Sequence, residues 1–399
     1  MTVLSFEAAK SRLLALARPV ADREWLDTAE AFGRVLAEPL ASPMDVPLFT
    51  NSAMDGYALR AADLPVAGSR LPVCLRVAAG DAPSILPAGS AARIFTGAPL
   101  PEGADTVVMQ EYCRADGSDV VIDSVPPRGE HVRLAGWDLK AGQSFLAAGT
   151  RLSAAALGLA ASVGIAKVPV LRRLKVAIFF TGSELRAPGE LLAPGQIYNS
   201  NRYIMRGMLQ HLGAEIIDLG IVKDNRDATR EALRQAAAVA DVIVTSGGMS
   251  EGDEDHVTAA VKAEGRIDVW KVASKPGKPL AFGSVGEAAF IGLPGNPVSV
   301  WAGLLCMVSP FLRASQGLAR VEPDVEQKRA DFRHTVKGNR MEIVRVRRNS
   351  QGGLDIFANQ DSSIISSAVW ADGVALIPAG ATVSPGDLVD YIPGPDWQP

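Results

Sequence analysis

Cysteine is scarce: Cys74, Cys113 and Cys306 are the three in 399 residues. They lie far apart, with no C-x-x-C pair and no histidine at a zinc-ligand spacing, so neither a disulfide framework nor a structural zinc site is supported. A surplus of positive charge is also missing. The formal net charge is −4, which gives no global attraction to nucleic acid or anionic lipid and leaves any anionic ligand to a local site. Glu7 and Lys10 interrupt what an export signal would keep apolar. The uncharged stretch from Leu152 to Ala166 is shorter than the about 20 residues a bilayer span needs, and its Ala and Gly content suits a buried helix. Neither G-x-G-x-x-G after the first strand nor G-x-x-x-x-G-K-[ST] occurs, which removes generic NAD and ATPase readings. A cytoplasmic protein without membrane or nucleic-acid partners is expected.

With 48% hydrophobic and 21% charged residues, the chain has the composition of a folded protein, and its length exceeds what one hydrophobic core usually supports. Residues 4–17 place Leu4, Ala8, Leu13, Leu14 and Ala17 near one helical face, and a second helix is expected over roughly 27–38. From 48 to 150, short β-type runs between Gly and Pro turns suggest an all-β insertion, followed by a helix over 153–166 that could return to the N-terminal elements. From 175 onward, apolar strands alternate with amphipathic helices, the rhythm of a doubly wound parallel α/β domain. Past about 320, Gly-separated β runs suggest a small barrel or sandwich. The expected fold is thus multi-domain α/β plus β. It comprises a helical and extended N-terminal domain (1–41 with 139–171), a β-rich insertion domain (42–138), a central α/β domain (172–317) and a C-terminal β-barrel (318–399).

Ligands of open parallel α/β sheets bind beyond the carboxyl ends of the strands. The loops there are Thr181-Gly182-Ser183-Glu184, Asp224, Ser246-Gly247-Gly248 continuing to Asp255, and Pro294-Gly295-Asn296-Pro297. Glycines permit close backbone approach to phosphate, and carboxylates are the oxygen ligands that Mg²⁺ prefers. Any one Gly or Asp more often makes a turn or caps a helix. Four such loops on one edge shift the balance towards a site for a nucleotide-like ligand with a divalent cation. Lys271, Lys275 and Lys278 cluster around Pro276-Gly277, where surface solvation is the plain reading and oxyanion binding the functional one. The insertion carries a second polar group, Asn51 to Ala58, Phe95 to Pro99 and Gly136-Trp137-Asp138.

Together these segments resemble the molybdopterin molybdenumtransferase family, the MoeA-type enzymes related to the E domain of gephyrin. The most specific pieces are Asn51 to Ala58, Ile94 to Pro101 with Gly103-Ala104-Asp105, Thr181-Gly182 with Glu184-Leu185, Gln196 to Asn199, Ser246-Gly247-Gly248, Lys275 to Pro279 and Gly292 to Ser299. The resemblance implies a homodimer of four-domain subunits that takes adenylylated molybdopterin and molybdate and releases AMP with Mg²⁺ assistance. By motif, Asp55, Thr96 and Asp138 would be polar cleft residues of the insertion. Glu184, Asp224 and Asp255 would be acidic residues of the α/β domain able to hold the metal, Glu184 and Asp255 foremost. Thr181, Gly182, Ser246, Gly247, Gly248, Pro294, Gly295 and Asn296 would shape the nucleotide pocket, and Lys275, Lys278, Arg345 and Ser362 would take molybdate. Three positions depart from the family pattern: Ser183 where an acid is usual, His256 where Tyr is common, and Asp361 where Gly is usual. A molybdopterin adenylyltransferase and molybdoenzyme chaperones are possible partners. Two other functions compete: the adenylyltransferase itself, disfavoured by the Ser246 to Ser250 loop, and a noncatalytic scaffold.

Overall fold

The apolar runs after residue 175 assemble into a seven-stranded sheet, ordered Val3–Leu4, Gly265–Val272, Pro279–Val285, Ala288–Leu293, Val242–Ser246, Lys175–Thr181, Glu215–Val222. The computed structural model describes residues 3–248, 256–277 and 279–394. Strand Lys175–Thr181 is buried on both faces because its alternate side chains enter different cores. Val176, Ile178 and Phe180 pack with Met205, Leu209, Trp301 and Phe311, whereas Ala177 and Phe179 pack with Leu233, Ala236, Val257 and Val261. Helices therefore cover both faces, as a parallel sheet requires.

The sheet is mixed rather than wholly parallel. Gly265–Val272 and Ala288–Leu293 both run antiparallel to Pro279–Val285. The sequence gives no strand signal for the first of these, because Arg266, Asp268 and Lys271 interrupt its apolar pattern. Residues 3–14 also differ from their expected grouping with 139–171. Val3–Leu4 adds a parallel edge to Gly265–Val272, and the helix Phe6–Leu14, capped by Ser5, buries Phe6, Ala9 and Leu13 in the α/β core.

The helix expected over 27–38 is absent. Arg23–Asp27 is a strand antiparallel to Lys167–Leu171, Thr28–Glu30 is one 3₁₀ turn, and Gly33 turns the chain at φ +73°, a left-handed value that breaks helical geometry. Leu36 and Leu40 instead join Leu152, Ala156, Ala160 and Val170 in a small core, which includes the helix Ala154–Ser162. The insertion is a six-stranded sheet with Gly56–Leu59 between Thr106–Met109 and Ala91–Ile94. The C-terminal strands form an open path, Ser274–Lys275, Met341–Arg348, Gly373–Ile377, Leu388–Pro393, Glu326–Arg329. Strand pairing among the described residues does not close it into the expected barrel.

Residues 288–312 contain no charged side chain. Overlapping them, Pro297–Ser315 is long and apolar enough to cross a membrane, but 83% of its apolar window is buried inside the fold. Pro310 cannot donate a backbone hydrogen bond, and the helix passes through a π-helical turn at Leu304–Val308 before resuming at Ser309–Ser315.

Candidate active site

The parallel register carries four loops to the carboxyl edge of the central sheet. Thr181 pairs with Val222, Phe180 with Ser246, and Ser246 with Leu293, so the segments that follow each strand emerge side by side. Gly247 and Gly248 take φ values of +85° and +64°, which side-chain-bearing residues rarely adopt. A Cβ on Gly248 would lie 2.5 Å from Val257 Cγ2 and 3.4 Å from Thr181 Oγ1. A Cβ on Gly295 would lie 3.8 Å from Gly247 Cα. The two glycine loops thus meet against Thr181.

Asn201, which the sequence reading did not single out, holds these loops together. Its Nδ2 donates to Ser246 Oγ at 3.1 Å and to the Gly295 carbonyl at 2.7 Å, while its Oδ1 is buried with no protein partner. Asn199 Nδ2 is likewise buried and unsatisfied. Buried amides with spare hydrogen-bonding capacity are uncommon, and two of them flank this edge. Asn199 closed a quoted motif, but nothing local marked Asn201 as more than the start of helix Asn201–His211.

Glu184 is exposed, and its carboxylate folds back over Gly182, where a Cβ would lie 2.6 Å from Oε2. Asp224 follows the neighbouring strand, just before Asn225, which caps the helix Arg226–Val239. Asp255 and Lys278 lie outside the described residues. Among the described residues no three His, Cys, Asp or Glu side chains converge as a metal cage. Mg²⁺ commonly takes only one or two carboxylates and completes its shell with substrate phosphates and water, and the exposed Glu184 and half-buried Asp224 suit that mode.

The C-terminal domain reaches the same edge. Asn296 Nδ2 donates to Ser362 Oγ at 2.7 Å, and Val298 N donates to the Ser362 carbonyl at 3.1 Å. A Cβ on Gly277 would lie 3.6 Å from Pro294 Cγ, which sets the Lys275 loop beside Pro294. Lys275 Nζ lies 3.2 Å from Glu342 Oε1, and Glu342 Oε2 lies 2.7 Å from His334 Nε2. Burial pushes the Glu342 pKa up, but His334 and Lys275 outweigh it and the net direction is down. Arg345 is 1% exposed. It donates to Ser367 Oγ at 3.0 Å and to the carbonyls of Asp361 and Asn359 at 3.0 and 3.4 Å. It therefore lies beneath the Ser362 loop, and burial lowers its pKa to about 10 against the pull of Asp361 and Glu342. Asp361 turns its carboxylate onto the Ser363 hydroxyl and amide at 2.6 and 2.8 Å, bonds that lower its pKa.

In the insertion, Asp55 Oδ1 accepts from the Thr96 amide at 2.7 Å and from the Thr96 hydroxyl at 2.8 Å. These bonds, with Arg93 nearby, hold its pKa down. Asp138 sits in a separate turn whose amide donates to the Val46 carbonyl at 2.8 Å. Among the described residues no hydrogen bond or ion pair joins Asp55, Thr96 or Asp138 to the α/β edge.

The similarities of the chain cover both groups. Residues 4–164 match the MoeA N-terminal region (domain I and II), 177–314 the probable molybdopterin binding domain and 327–393 the MoeA C-terminal region (domain IV). A molybdopterin molybdenumtransferase of Haemophilus influenzae is 40% identical over 317 residues, spanning 79% of this chain and 78% of that protein. One of Synechococcus elongatus is 34% identical over 397 residues, spanning 95% and 96%. The crystal structure of a molybdopterin biosynthesis MoeA protein from Pyrococcus horikoshii aligns with a TM-score of 0.86 at 26% identity, covering 98% of this chain and 100% of that one. With relatives of this identity matched along most of their length, the chain belongs to the MoeA family of molybdopterin molybdenumtransferases.

Proposed function

We propose that this chain inserts molybdenum from molybdate into adenylylated molybdopterin and releases AMP, yielding molybdenum cofactor. The observation that carries this reading is the junction at Asn296 and Ser362, which joins a glycine-lined edge suited to a nucleotide to a C-terminal loop underlain by the Arg345 guanidinium. A relative bearing the transferase name matches this chain nearly end to end.

In the reaction, an oxygen nucleophile attacks the pyrophosphate and AMP leaves with the bridging oxygen. The pterin dithiolate sulfurs displace molybdate oxygen, which departs as water after protonation. Gly182, Gly247 and Gly248 give the pyrophosphate close access to backbone amides. Ser246 and Asn296 supply hydrogen bonds, and Thr181, Pro294 and Gly295 shape the wall. Lys275, Lys278 and Ser362 receive molybdate. Arg345, buried under the loop, contributes positive potential and holds the Asp361 and Asn359 carbonyls in place. Glu184, Asp224 and Asp255 would hold Mg²⁺, whose role when bound is to neutralise charge on the pyrophosphate oxygens.

The Asp55–Thr96 pair and Asp138 enter this scheme through a homodimer in which the insertion of one subunit faces the α/β edge of the other. Leu48, Phe49, Leu134 and Trp137 are exposed around the Asp138 turn, an apolar surface of the kind that subunit contacts cover. The deciding experiment measures AMP release from adenylylated molybdopterin and Mg²⁺ with and without molybdate. Molybdate-dependent release with active cofactor is expected. No release under conditions where a known family member works would overturn the proposal.

A further inference from the structure

The segment after strand His334–Thr335 returns to strand Met341–Arg348 through Gly338, whose φ of +103° is open mainly to glycine. This turn sets Lys337 and Arg340 on one cavity of about 210 Å³, with Lys275, His334, Thr335 and Glu342 on its other walls. By the same measure a single water needs only about 10–15 Å³, so the cavity has room for a hydrated tetrahedral oxyanion. Among the described residues neither Lys337 nor Arg340 forms an ion pair, whereas Glu342 is engaged by Lys275 at 3.2 Å and His334 at 2.7 Å. The lining therefore brings three cations against one carboxylate. Counted without His334, the surplus is two positive charges, which matches a dianion.

We propose that this cavity is an outer oxyanion site, which captures a tetrahedral dianion such as molybdate through Lys337, Arg340 and the Thr335 hydroxyl and delivers it to Lys275. Glu342 is a positioning residue in this arrangement. It is 8% exposed, it pairs through its backbone with Lys275, and its carboxylate holds the Lys275 ammonium at 3.2 Å on the cavity wall, close enough to the Ser362 loop to help lower the Asp361 pKa. Two unpaired cations at the mouth hasten encounter with an anion, and their effect falls as salt screens them. The identity of the natural anion rests on the transferase reading, whereas the anion chemistry of the cavity does not.

The test titrates the full chain with molybdate, and separately with sulfate, by calorimetry at low ionic strength. It compares the parent, a Lys337→Ala/Arg340→Ala variant and a charge-retaining Lys337→Arg/Arg340→Lys variant. Removing both charges is expected to weaken binding of both anions at least tenfold, with the charge-retaining variant within threefold of the parent. In turnover, the double alanine variant is expected to raise KM for molybdate about tenfold while KM for adenylylated molybdopterin moves less than twofold. Absence of anion binding by the parent, or equal affinity in the parent and the double alanine variant, overturns the proposal whether or not the parent turns over. A parent that binds anions through these residues but releases no AMP sinks the transferase reading and leaves the outer site standing. Thermal melting identifies a misfolded double variant, in which case Lys337→Ala at its exposed position is judged by the same binding comparison.

Discussion

Replacing Asn201 by alanine removes the clamp between the two glycine loops. Its Nδ2 makes two neutral hydrogen bonds, to Ser246 Oγ at 3.1 Å and the Gly295 carbonyl at 2.7 Å, each contributing about 1 kcal/mol net. The Ser246 hydroxyl, in a residue only 3% exposed, loses its amide donor and adds a desolvation cost. Removal of the unsatisfied Oδ1 offsets part of it. A net loss of about 2 kcal/mol follows, equivalent to roughly thirtyfold more frequent local opening. The Gly247 amide, which donates to the Leu293 carbonyl at 3.0 Å, reports that opening directly. Hydrogen exchange of a peptide covering 242–248 should accelerate by that factor, while peptides of the insertion sheet stay unchanged. Asn201→Asp should be at least as costly, because it turns a carboxylate oxygen towards the Gly295 carbonyl. Less than threefold acceleration in the alanine variant would refute the clamp.

Glu184→Gln should lower molybdate-dependent AMP release on the order of a hundredfold, a typical contribution of a positioned carboxylate; undiminished turnover removes Glu184 from the site. Gly248→Ala forces a left-handed alanine, costing roughly 1–2 kcal/mol, against Val257 Cγ2 at 2.5 Å; an unshifted thermal midpoint would contradict the loop geometry. Asp218 gives a pH test. Burial pushes its pKa up, but Arg202 at 2.9 Å, Arg206 at 2.8 Å and the Gly220 amide more than offset this, so the net direction is down. A depressed folded value contributes stability that is present above the ordinary value of 3.8 and lost as pH falls through the folded one. Asp218→Asn should therefore flatten the acid loss of stability below about pH 4, measured by denaturant unfolding, and equal acid slopes in the two proteins would count against the pairing.

The parallel strands were readable because burial on both faces makes them continuous apolar runs, as in Val242–Ser246 and Lys175–Thr181. Gly265–Val272 was not, since its exposed positions carry Arg266 and Asp268. The segment 27–38 looked helical because it opens with the helix formers Ala29, Glu30 and Ala31, but Gly33 turns the chain before a helix can extend. At the site, glycines and carboxylates announced themselves through local chemistry and shared strand ends. Cross-domain partners gave no such signal. Asn296 finds Ser362 across 66 residues and Lys275 finds Glu342 across 67, and neither pairing leaves a periodic trace. Arg345 was legible as a cation near the site, but its burial beneath carbonyls depends on tertiary packing that the strand pattern does not encode.

The pairing of Ser274–Lys275 with Met341–Glu342 makes the lysine loop a strand of the neighbouring domain's sheet. A rigid-body swing of that sheet would carry Lys275 with it, so the hinge for any such motion must fall on the α/β side of residue 274. The C-terminal region is then not a detachable module. Grafting a foreign C-terminal sheet onto the α/β domain would misalign the lysine loop even if every loop side chain were retained, and the two regions are constrained to be exchanged between relatives as one unit.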